Sequence, residues 1–133
     1  MNTRLLMRTS AIFMGLMGIV ASFLPQEILA HMGGDQSRAS ALIIQTAGAM
    51  YLGFGALNWT AQANLIGGIY SRPVSLANFA HFTIASLALL KGVAAGEREV
   101  VALCGCAAYS MFAVSFGFVV FLPPRNLGKG GAR

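Results

Sequence analysis

Acidic side chains are nearly missing from this chain: Glu27, Asp35, Glu97 and Glu99 are the only four in 133 residues, and none falls inside a long apolar run. That argues against an ion-coupled mechanism built on membrane carboxylates. Charge of either sign is sparse, at 10% of residues against roughly 25% in soluble domains. The sequence contains no H-E-x-x-H, no G-x-x-x-x-G-K-[ST], no C-x-x-C-H and no G-x-S-x-G, which leaves hydrolytic and phosphoryl-transfer chemistry without residues. Cysteine is limited to Cys104 and Cys106. On a helix, residues two apart point about 200° away from each other, so this pair cannot chelate one ion or form a disulfide without unwinding. They read as small packing residues, with thiol chemistry as the alternative.

What fills the chain instead is hydrocarbon. It is 56% hydrophobic, with a mean hydropathy of +0.69. Four apolar runs approach the roughly 20 residues a helix needs to cross a bilayer core about 30 Å thick. They cover about residues 5–24, 39–61, 73–95 and 100–122. Pro25 closes the first, Pro73 suits the first turn of the third, and Pro123-Pro124 stop the fourth. The expected fold is all-α: an integral membrane four-helix up-down-up-down bundle, with residues 1–133 forming a single transmembrane domain. The first run is read as a retained helix rather than a signal peptide, because its apolar core is long and Ile28-Leu29-Ala30 lacks a small residue two before the cut. Between the first and second runs, "PQEILAHM" (about 25–32) reads as a short interfacial helix ended by Gly33-Gly34. Ile28, Leu29 and Met32 lie on one side of it, with Gln26, Glu27 and His31 on the other. A lid or partner-docking role on the outer face is the alternative for this segment.

The basic residues report topology. Arg4, Arg8, Arg72, Arg125, Lys129 and Arg133 would share one side, and Arg38, Lys91 and Arg98 the other, which also holds all four acids. This bias places both termini in the cytoplasm. The net charge of +5 is therefore a topology signal, not a nucleic-acid footprint, since no basic patch with interleaved aromatics accompanies it.

Membrane helices associate where small residues let backbones approach and where polar side chains find partners. Ala11, Gly15, Gly18 and Ser22 form a 4-3-4 stripe on the first helix. The second offers Ala49, Gly53 and Ala56, with Gly48 and Gly55 beside them, and the fourth Cys106, Ser110, Ala113 and Gly117. On the third, Asn78 and His81 continue into Ala85, Ala88 and Gly92, so the two polar groups are expected to face inward. Asn58 falls at a similar depth, which suggests an Asn58, Asn78, His81 cluster capped by the Tyr70 hydroxyl.

Two readings of that cluster stand side by side. One is interhelical hydrogen bonding, worth about 0.6 to 2 kcal/mol per bond. The other is a binding site for a quinone, haem or similar lipophile, or a proton relay. Haem ligated by both histidines of one chain is rejected, because His31 falls in the outer loop and His81 in the inner half of the bilayer.

The segments "FLPQEILAHMG", "YLGFGALNW", "GGIYSRPV" and "LANFAHF", spanning about residues 5–95, together resemble the small four-helix bacterial inner-membrane proteins of the DoxX-like type. The resemblance implies an up-down-up-down bundle in a bacterial inner membrane and no particular reaction. The fourth helix with its "CGC" lies outside the likeness. The expectation is thus a non-enzymatic structural or accessory membrane component, with no cofactor and no metal assigned. Its partners would be the lipid bilayer and a homo-oligomer or larger membrane complex. A lipophile-binding module at Asn58, Asn78 and His81 is the alternative. A small oligomeric transporter is third, although no internal repeat suggests inverted halves.

Overall fold

The computed structural model describes residues 2–63, 72–96 and 98–122. Tyr70, Gly67-Gly68 and the tail from Pro123 onward lie outside them. Among the described residues there are five helices and no strand: α1 (Thr3–Phe23), α2 (Pro25–His31), α3 (Arg38–Ala61), α4 (Arg72–Ala94) and α5 (Val100–Phe121). All but α2 are long and apolar enough to cross a membrane. Their outward faces carry Ile12, Leu16, Ile19, Ile43, Ile84, Leu87 and Val114, each around half exposed or more. Water is a poor neighbour for so much apolar surface and lipid is a good one. The chain is a multi-pass helical membrane protein.

Local chemistry sets the boundaries. Asn2 caps α1 by accepting the Leu5 N–H on its side-chain oxygen at 3.2 Å, which starts the helix slightly ahead of the apolar run. Leu24, which precedes Pro25, leaves the helical region (φ −124°, ψ 44°), as a residue before proline tends to, and Pro25 then opens α2. Gly33, with φ +63°, ends α2. The Gly34 N–H reaches back to the Leu29 carbonyl at 3.0 Å and the Gly33 N–H to that of Ala30 at 3.3 Å, the paired bonds of a Schellman cap. Ile28 is half-buried and Leu29 buried, as expected for the apolar side of α2, while Met32 is exposed beyond its end. Ser37 caps α3 by accepting from the Ser40 N–H, and Gly96 (φ +109°) follows α4.

The chain divides into two compact units, Met1–Ala63 and Asn64–Arg133. In the first, α1 and α3 run antiparallel with α2 at the turn. Their backbones nearly touch. A Cβ on Gly48 would lie 2.5 Å from Ser22 Oγ and 2.7 Å from Ser22 N. One on Gly18 would meet the Leu52 backbone at 2.8 Å, and one on Gly55 the Gly15 N at 3.1 Å. Ala11, Gly18 and Ser22 of the expected α1 stripe therefore meet α3, whereas a Cβ on Gly15 would meet nothing, and the inward face is rotated to take in Met7, Ser10 and Met14 as well. On α3 the inward residues are Ala41, Gly48, Gly55 and Asn58. Ala49 and Ala56 are instead exposed, and Gly53 has open space where a Cβ would stand. The physical reason is that glycine and alanine populate several overlapping faces of α3, and only the face that also aims Asn58 inward meets α1.

The second unit pairs α4 with α5, also antiparallel. Its buried positions on α4 are Ser75, Asn78, Phe82 and Ser86, whereas His81 and Ala85 are half-buried and Ala88 is exposed. The inward face is rotated from the small-residue stripe, because α5 presents rings rather than glycines. Phe82 stacks on Phe112 (centroids 4.8 Å) and on Phe116 (5.7 Å), with Tyr109 at 5.6 Å. Cys106 and Ala113 of the expected α5 stripe are buried beside them.

Candidate functional site

Polar side chains inside a hydrocarbon-facing hairpin need partners, and the first unit supplies them across the α1–α3 contact. Ser10 and Asn58 are both fully buried. The Ser10 hydroxyl donates to the Met7 carbonyl at 3.0 Å, which leaves its oxygen to accept from Asn58 Nδ2 at 3.1 Å. The same amide nitrogen lies 3.8 Å from Met14 Sδ. Two further ties flank this node. Arg8 Nε donates to Gln62 Oε1 toward the end that holds the N-terminus, and Gln45 Nε2 donates to the Ser22 carbonyl at 3.4 Å toward the other. Sequence reasoning grouped Asn58 with Asn78 and His81 by depth and did not single out Ser10, Gln62 or Gln45, which make the bonds described here. Ser10 was findable, since it sits one turn before Met14 on the buried side of α1.

Beside this contact runs an open groove of about 390 Å³. Gly15, Gly55 and Ala56 line it together with the larger Ile12, Leu52 and Trp59. It exists because the small residues that bring the backbones together carry no side chains to fill the space alongside.

Asn78 and His81 belong to the second unit. Asn78 is fully buried, and its Nδ2 donates to the Val74 carbonyl of its own helix at 2.9 Å. This i−4 bond satisfies part of the amide without a second helix. Ser86 does the same with the Thr83 carbonyl at 2.9 Å. The His81 ring is half-buried, with its centroid 5.3 Å from that of Phe82 and 6.1 Å from that of Tyr109. His81 thus stands at the margin of the aromatic core.

Cys104 is exposed and Cys106 buried, both as free thiols, in keeping with their opposed directions on α5. Among the described residues no three His, Cys, Asp or Glu side chains gather as a metal site. Compared with known protein families, curated proteins and solved structures, the chain finds no match.

Proposed function

We propose that this protein is a non-enzymatic structural or accessory component of a bacterial inner membrane, with both termini in the cytoplasm, that associates with its own copies or with a larger membrane complex. The observation that carries this reading is how the polar side chains of the spans are used. Asn58 bonds Ser10 across a helix contact, and Asn78 and Ser86 bond their own helix backbone. These are packing roles. The bacterial inner membrane rests on the DoxX-like resemblance over residues 5–95, and the orientation on the distribution of basic residues.

The test is what co-purifies in mild detergent, together with an absorption spectrum and an organic extract. Companion subunits or self-association, without chromophore or extractable quinone, support the proposal. A pigment or lipophile that is present in the wild type and lost in His81→Leu overturns it in favour of a lipophile-binding module, which the aromatic surroundings of His81 would suit.

A further inference from the structure

We infer that the α1–α3 groove is a binding site for one anionic phospholipid, its acyl chain lying in the groove and its phosphate held by Arg8 and Arg4. The groove is apolar along its length, and Leu52 to Thr60 mark out roughly 12 Å of it along α3. Trp59, a side chain suited to the bilayer interface, is among the residues that line it.

The cations stand in line with it. At about 100° per residue, Arg4, Arg8, Ala11 and Gly15 project from one sector of α1, so the two guanidiniums continue the groove wall toward the N-terminal end. Both arginines are exposed. Gln62, just beyond the groove residue Thr60, accepts from Arg8 Nε and so tethers the guanidinium across the two helices. That bond uses Nε alone, and the Nη donors, whose fork matches a phosphate, meet no acceptor among the described residues. The acids of this unit, Glu27 and Asp35, belong to α2 and the connection after it, at the opposite end of the hairpin.

Charge complementarity selects the occupant. A second copy inserted in the same orientation would bring its own Arg4 and Arg8 to the same level, a like-charge juxtaposition. An anionic lipid brings the missing negative charge and a chain of matching polarity.

Trp59 is the only tryptophan in the chain and reports on the groove directly. The full-length protein is reconstituted in phosphatidylcholine vesicles, and dibrominated phosphatidylglycerol or dibrominated phosphatidylcholine is added as a quencher. Phosphatidylglycerol should quench Trp59 in preference to phosphatidylcholine, by roughly fivefold in apparent affinity for each arginine engaged. Arg4→Gln and Arg8→Gln should each lower that preference. Gly15→Leu should lower quenching by both lipids, since a Cβ at Gly15 meets nothing within 4 Å and the longer side chain would enter the groove that Gly15 lines. Circular dichroism checks that each variant is helical, and Arg4→Gln spares the Arg8–Gln62 bond. Equal quenching by the two lipids in the wild type overturns the inference, whether or not the chain self-associates. So does displacement of the brominated lipid by millimolar glycerol phosphate, which would mark a headgroup site without a chain, or wild-type behaviour of Gly15→Leu.

Discussion

In the first hairpin Gly18, Gly48 and Gly55 set backbone against backbone, whereas in the second Phe82, Phe112 and Phe116 fill the equivalent interface with stacked rings. Both arrangements answer the same difficulty. Lipid tails are as apolar as a leucine side chain, so helices gain little from hiding apolar surface and must gain from closeness or shape. Glycine gives closeness: many weak dispersion contacts form over a short distance, and cross-helix hydrogen bonds such as Asn58 to Ser10 come within reach. Aromatic rings give shape, through large flat areas with preferred stacking geometry. In the second unit Asn78 and Ser86 each donate to a carbonyl of α4 itself, beside an interface built from stacked rings. An interface of the first kind tolerates no added atoms, and one of the second kind tolerates no lost ones.

That contrast can be broken from either side. Phe82→Ala removes the ring on which three others converge and should cost about 3 kcal/mol, the cavity part of a large-to-small change being retained in lipid. Thermal or SDS-induced unfolding in detergent measures it. Gly48→Ala should cost about 2 kcal/mol by overpacking, because its Cβ meets the Ser22 backbone, which cannot yield as a flexible side chain would. Equal tolerance of alanine at 48 and at 53 would defeat the distinction between the two faces of α3. Asn58→Leu should cost about 1 kcal/mol, and a double-mutant cycle with Ser10→Ala should show most of that as coupling between the two. The smallest effect has the opposite sign: Gly53→Ala should stabilise α3 by up to about 1 kcal/mol, since it adds helix propensity in open space.

Hydropathy and proline positions made the spans legible, and every helix limit falls within about two residues of its expected place. The contact face of α1 was legible in part: Ala11, Gly18 and Ser22 of its small-residue stripe meet α3, but the stripe did not reveal Met7, Ser10 and Met14, which are buried beside them. On α3 the same rule was degenerate. Gly48, Gly53 and Gly55, with alanines between them, supply several small faces, and spacing alone cannot choose among them. On α4 the rule pointed to Ala85 and Ala88 where Phe82 and Ser86 are buried. The signal lay on the partner: Tyr109, Phe112 and Phe116 recur at helical spacing on α5, and a face of rings calls for a ring opposite. Asn78 was recognisable as inward from the cost of an amide in lipid, and Asn58 was grouped with it by depth. Their partners were not recognisable, because Ser10 and the Val74 carbonyl are ordinary in sequence and special only once a helix brings them near.

The α1–α3 seam has a consequence for biogenesis. Every partner described for it, from Arg8 and Gln62 at one end to Ser22 and Gln45 at the other, lies within the first 63 residues. Once both of these spans lie in the bilayer, they hold everything their described contacts need, and the hairpin can lock as a single body without waiting for α4 and α5.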